Sequence, residues 1–110
     1  MSIKAFIVDD SVVFRKILSD ALKRFPIVEV LGAASGGAIA LKKLAQTPAD
    51  LVLLDIHMEG MDGLQTLEEI RKQFPQTMVV MVSGISTRSG DITIRALEMG
   101  ALDFVRKPDS

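Results

Sequence analysis

Strand-like and helix-like segments alternate along this chain, which predicts an α/β domain: a parallel sheet, doubly wound, with helices on both faces. Three observations carry that expectation. Five short apolar runs punctuate the sequence, and four of them are followed by segments whose apolar residues recur at helical spacing. A Pro or Gly closes each helical segment. The length of 110 residues accommodates five strands and four helices of ordinary size and is one domain's worth of chain. Parallel neighbours need a crossover, so alternation of this kind places helices over both faces of the sheet.

The first apolar run, Ile3 to Val8, ends in the pair Asp9-Asp10. Phe14, Ile17, Leu18, Ala21, Leu22 and Phe25 then mark one face of a helix that begins near Ser11 and stops at Pro26, with Arg15, Lys16, Asp20 and Lys23 outside. The second run, Val28 to Ala34, leads through Ser35-Gly36-Gly37 into a helix carrying Leu41 and Leu44 that ends before Pro48. Leu51 to Leu54 is too short and too apolar for a helix; flanked by Asp50 and Asp55, it suits a central strand buried on both faces. Leu64, Leu67, Ile70 and Phe74 predict a third helix ended by Pro75. Met78 to Val82 is the fourth strand, Asp91 to Met99 a fourth helix closed by Gly100, and Leu102 to Val105 the fifth strand.

Composition excludes several classes of function. A hydrophobic fraction of 48% with 25% charged residues is that of a folding globular chain, not a disordered one. Thirteen basic against fourteen acidic residues leave a net charge of -1, which offers no general attraction to nucleic acid or anionic membrane. Without cysteine there is no disulfide, Cys-ligated zinc or Cys nucleophile, and a single His, His57, precludes a His-rich zinc centre and leaves little room for a Ser-His-Asp triad. The start, Met-Ser-Ile-Lys, has no signal-peptide pattern, and no apolar run approaches the roughly 18 residues of a membrane span. A soluble, cytoplasmic protein is the expectation.

In open parallel sheets, functional residues gather at the carboxyl ends of the strands. Here those positions hold Asp9 and Asp10, Asp55, Ser83 and Lys107. Singly, each is an ordinary loop or helix-capping residue. Jointly, three carboxylates at one edge repel one another unless a cation lies among them. Mg²⁺ suits such a site, because it takes hard oxygen ligands from one or two carboxylates together with water and phosphate. A carboxylate flanked by Mg²⁺ and Lys can also accept a phosphoryl group, with Lys107 and the Ser83 hydroxyl sharing charge on its oxygens. Asp55 is the candidate phosphoacceptor.

The segments Val8-Asp9-Asp10-Ser11, Leu53-Leu54-Asp55-Ile56-His57-Met58, Met61-Asp62-Gly63, Val82-Ser83-Gly84 and Phe104-Val105-Arg106-Lys107-Pro108 resemble, in order and spacing, the receiver domain of two-component response regulators. The resemblance covers essentially the whole chain. It implies a flavodoxin-like fold with strand order 2-1-3-4-5 and a domain that takes a phosphoryl group from the phosphohistidine of a sensor kinase. It also implies direct Mg²⁺ ligation by Asp10 and Asp55, a largely water-mediated role for Asp9, and a ligand from the backbone carbonyl of His57. The imidazole itself is a poor candidate, since Mg²⁺ prefers oxygen. By the same resemblance Ser83 is the switch hydroxyl, Phe104 the switch aromatic and Lys107 the phosphate-binding lysine, followed by a cis bond to Pro108. One departure is Glu59, which stands where the family usually has Pro; it loosens the loop and adds a carboxylate near the metal, so metal-binding and dephosphorylation rates are what it touches.

Ser83 to Pro108, with Phe25 to Val30, is further similar to the regulatory domain of the chemotaxis protein-glutamate methylesterases. In that family the receiver covers a C-terminal esterase domain and phosphorylation relieves the inhibition; this chain alone is then no esterase. Alternatives are a stand-alone receiver, the receiver of a transcriptional regulator, or, from another class, a phosphorylation-independent interaction module. A nucleotide-binding domain would want a Gly-rich turn after the first strand, and Asp9-Asp10-Ser11 offers the opposite charge. Receivers also carry a fifth helix after the Lys-Pro turn. Three residues follow Lys107, so residues 1–110 are expected to form a receiver lacking that helix, with part of one sheet face exposed at about 25 cal/mol per Å². Extension by about 15 residues, an ordinary helix, is expected to stabilise it.

Overall fold

A computed structural model of the chain describes residues 2–84 and 90–107. The elements are β1 (Ile3–Val8), α1 (Val12–Lys23), β2 (Val28–Ala34), α2 (Gly37–Gln46), β3 (Leu51–Asp55), α3 (Gly63–Gln73), β4 (Met78–Ser83), α4 (Gly90–Glu98) and β5 (Asp103–Arg106). The five strands are parallel in the order β2-β1-β3-β4-β5, and no helix follows β5 among the described residues. This is the flavodoxin-like, doubly wound arrangement: the order reverses at β1, and the crevice between the ends of β1 and β3 opens there.

Local chemistry sets the helix boundaries. Ser11 caps α1, its Oγ accepting from the Phe14 amide at 3.3 Å. Asp62 and Gln65 close a reciprocal capping box on α3: each side chain accepts from the other's backbone amide at 2.9 Å. The helix α1 ends two residues sooner than its apolar spacing predicts. Arg24 is its C-cap, and Phe25 lies beyond it, 58% exposed, because Pro26 cannot continue the helix and the preceding backbone turns toward β2.

The two sheet faces are covered unequally. On one, Phe6, Val8, Val52, Leu54, Val79 and Met81 pack with Leu44 of α2, Leu67 and Ile70 of α3 and Ala96 of α4. On the other, the buried cluster is Ile7, Leu18 and Val82, with Leu22, Val30, Ala33 and Leu53 partly buried around it. The expectation of a β3 buried on both faces is therefore corrected: Val52 and Leu54 are fully buried, whereas Leu51 and Leu53 are only partly buried. Among the described residues α1 is the one helix over their face, and one helix cannot span a five-stranded sheet whose strands are ~4.8 Å apart.

Candidate functional site at the carboxyl edge

Strand parity decides which end-residues meet. Side chains alternate across a strand, so Asp9 shares a face with Ile7, Asp55 with Leu53, and Lys107 with Val105. All three lie on the α1 side. The pairing brings their strands into adjacency around β3: β1 pairs β3 with Val8 opposite Leu54, β3 pairs β4 with Asp55 opposite Val82, and the Lys107 amide donates to the Ser83 carbonyl at 2.7 Å.

The Lys107 ammonium lies 2.8 Å from Asp9 Oδ2 and 3.3 Å from Asp55 Oδ1. All three groups are withdrawn from water: the Lys107 side chain is 10% exposed, that of Asp55 4%, and that of Asp9 fully covered. Two donors hold the carboxylates from below, the Ser11 amide on Asp9 Oδ1 at 2.9 Å and the His57 amide on Asp55 Oδ1 at 3.3 Å. Asp9 Oδ2 is the exception. The ammonium meets this buried oxygen as an ion pair, and no hydrogen bond reaches it among the described residues. Such an atom is costly unless something further engages it.

Asp10 points the other way, exposed, into a cleft of about 460 Å³ that it lines with Ile56, His57, Met58, Glu59 and Asp62. Carboxylate oxygens of Asp9, Asp10 and Asp55 nonetheless fall within 4.8 Å of one another. Burial pushes the Asp55 carboxyl above its ordinary value of 3.8, the Asp9 charge pushes it further, and Lys107 and the His57 amide pull it back only in part. An all-oxygen set with an unsatisfied buried acceptor and an under-compensated acid fits a hard divalent cation such as Mg²⁺.

The loop after Asp55 is folded back tightly. Gly60 takes a φ of +75°, and the Gly63 amide donates to the Ile56 carbonyl at 3.1 Å. A Cβ at Gly63 would sit 2.6 Å from Ile56 Cα, so only glycine lets the start of α3 approach the end of β3. His57 contributes its amide to the site, and its ring is exposed. Glu59 is exposed on the rim of the cleft.

Ser83, the buried last residue of β4, lies on the opposite sheet face from Asp55; its hydroxyl donates to the Gly84 carbonyl at 3.1 Å. Phe104 pairs with Met81 in register and shares that face, half-buried. The bond to Pro108 lies outside the described residues. Two neighbours of the site were legible only as helix residues in the sequence. Arg15, placed outside by its spacing, is half-buried and donates to the Asp9 carbonyl at 2.8 Å. Phe14, placed with the core, holds its ring under the Lys107 ammonium, 4.3 Å from the centroid. Their signal was proximity: each lies on the first helical turns after the Asp pair.

Residues 5–110 match the family described as the response regulator receiver domain. The protein-glutamate methylesterase/protein-glutamine glutaminase 2 of Methanosarcina mazei is 46% identical over 108 residues, 98% of this chain but 29% of that protein. The corresponding enzyme of Geobacillus kaustophilus is 46% identical over 107 residues, 97% of this chain and 30% of its own length. The chain thus spans less than a third of these relatives. Among solved structures, the response regulator domain of Thermotoga maritima CheB superposes with a TM-score of 0.90 at 35% identity, covering 100% of this chain and 81% of that one. A chain of the CheX-CheY-BeF3-Mg²⁺ complex from Borrelia burgdorferi superposes with a TM-score of 0.88 at 29% identity, over 98% of this chain and 80% of its own.

Proposed function

The chain belongs to the receiver domains of response regulators, and from that premise we propose that it accepts a phosphoryl group on Asp55 from the phosphohistidine of a sensor kinase. The observation that carries this reading is the Lys107 ammonium held between buried Asp9 and Asp55. Both donors to Asp55 fall on Oδ1, so attack is assigned to Oδ2. The Asp55 oxygen forms the new bond to phosphorus as the P–N bond of the donor breaks, and the electron pair returns to the imidazole nitrogen. Lys107 then stands where the charge on the phosphoryl oxygens can be met, and the His57 amide keeps the carboxylate oriented.

Asp10 and Asp55, with the His57 carbonyl, would hold Mg²⁺ directly and Asp9 largely through water. When bound, the ion supplies positive charge against the phosphoryl oxygens and offsets the acid cluster. A Mg²⁺ complex among structural neighbours, that of the Borrelia CheX and CheY chains, supports the assignment. In the switch, the Ser83 hydroxyl leaves the Gly84 carbonyl for a phosphoryl oxygen and Phe104 turns inward on the same sheet face. The methylesterase relatives support an output domain of that kind joined in cis and a place in chemotaxis. A cytoplasmic sensor-kinase domain is the partner this reading implies.

Incubation with Mg²⁺ and acetyl phosphate is expected to add one phosphoryl group by intact mass. Asp55→Asn is expected to abolish the addition, and labelling that survives that substitution refutes the assignment.

A further inference from the structure

Lys107 has three neighbours in the site, and only two of them are carboxylates. The third is the ring of Phe14, whose centroid lies 4.3 Å from Nζ, within the range in which an ammonium is attracted to the face of an aromatic ring. The backbone that carries the ring is tied to Asp9. The Phe14 amide donates to the Ser11 cap at 3.3 Å, the Ser11 amide donates to Asp9 Oδ1 at 2.9 Å, and neighbouring Arg15 donates to the Asp9 carbonyl at 2.8 Å. The apolar cluster between α1 and the sheet draws on Leu18 and Leu22 of the helix, one and two turns beyond Phe14.

Lysine is a compact charge on a flexible four-carbon stem, and it stays in one place only while something holds its head. The carboxylates hold it conditionally. A cation among Asp9, Asp10 and Asp55, or a phosphoryl group on Asp55, competes for the same oxygens. The Phe14 ring is neutral, cannot ligate a hard cation and cannot be phosphorylated, so its attraction persists in every state of the site. We infer that Phe14 is a positioning residue, which retains the Lys107 ammonium over its ring face while the carboxylates exchange partners. Its consequence for phosphoryl transfer rests on the receiver reading above.

The test replaces Phe14 in the full 110-residue chain with mono-, di- and trifluorinated phenylalanine, which drain charge from the ring face while keeping its shape, beside Phe14→Tyr and Phe14→Leu. The initial rate of labelling by acetyl phosphate with Mg²⁺ is expected to fall stepwise with fluorination, to drop roughly tenfold in Phe14→Leu, and to stay within about twofold in Phe14→Tyr. A second readout needs no phosphoryl transfer: the Lys107 ε-methylene protons are expected upfield of ordinary lysine values, with or without Mg²⁺, and back at those values in Phe14→Leu. A rate flat across the fluorinated series, or ordinary ε-proton shifts in the unsubstituted chain, overturns the inference. If the unsubstituted chain takes no label while the ε-protons are shifted as stated, the positioning contact stands and the receiver reading is what fails.

Discussion

The two faces of the sheet divide the work of the molecule. The face under α2, α3 and α4 carries a continuous core from Phe6 and Val8 through Leu54 and Met81 to Ala96. The face under α1 carries a smaller buried apolar cluster, Ile7, Leu18 and Val82, and the ion-pair network of Asp9, Asp55 and Lys107 lies on that side. One face supplies cohesion and the other holds groups whose mutual repulsion and desolvation work against it. The difference teaches where each kind of substitution will be felt: apolar truncation on the first face, changes of charge on the second.

The largest contrast expected is between two Leu→Ala changes. Leu67, on the sheet-facing side of α3, is completely buried, and Leu67→Ala should cost about 3–5 kcal/mol in urea unfolding, through lost transfer energy and the cavity left behind. Leu53 is only partly buried, and Leu53→Ala should cost roughly 1–2 kcal/mol, since less apolar surface is withdrawn from water there. Equal costs would break the distinction between the faces.

A charge change on the thinner face should act in the opposite direction. The Asp55 carboxyl titrates above its ordinary value of 3.8, mainly through burial and then through Asp9. Between 3.8 and that raised value the native chain keeps a proton that the unfolded chain has lost, so stability falls as pH rises through the window. Asp55→Asn, which leaves Lys107 its pair with Asp9, should remove that part of the slope. At neutral pH it should raise the thermal midpoint by a few degrees, about what 1 kcal/mol gives in a domain of this length. If the proposed site holds Mg²⁺, the ion should raise the midpoint of the unsubstituted chain, and the same substitution should erase that rise. A lower midpoint in Asp55→Asn would mean that Asp55 is a net stabilising member of the site.

The smallest effect sharpens the comparison within α1 itself. Lys16 and Asp20 pair at 3.0 Å, but their side chains are 78% and 54% exposed. Lys16→Ala should change stability by less than about 0.5 kcal/mol in thermal unfolding, because water screens an exposed pair. The distances of this pair and of Lys107 to Asp9 are alike, so burial is the variable under test.

Much of this was legible in the residues. The boundaries of β1 and β2 coincide with the apolar runs, since a stretch such as Ile3 to Val8 ends where charge begins. Asp9, Asp10, Asp55, Ser83 and Lys107 were placed at one sheet edge by the rule for parallel strands, and the ends of β1, β3, β4 and β5 carry them. Elements moved by a residue or so where end-chemistry outweighs hydrophobicity: α4 runs Gly90–Glu98 and β5 Asp103–Arg106, because pairing with Val80 to Ser83 sets the strand's limits. Arg15, read as outside, is half-buried against Asp9, and Phe14, read on the apolar face, also meets Lys107, both for one reason. Helical spacing tells which side of α1 a residue occupies, and says nothing about what lies across from its first turns.

The sequence by itself determined the alternation of elements, the crossover connections and the set of charged residues at the strand ends, because periodicity and punctuation are properties of short stretches of chain. Only the tertiary structure decided that Asp9, Asp55 and Lys107 meet on the α1 side, that Ser83 and Phe104 lie on the other, and that one face is thinly covered. Those outcomes depend on strand register and on which helix lies over which strand, and both are settled by contacts between segments as far apart as Asp9 and Lys107.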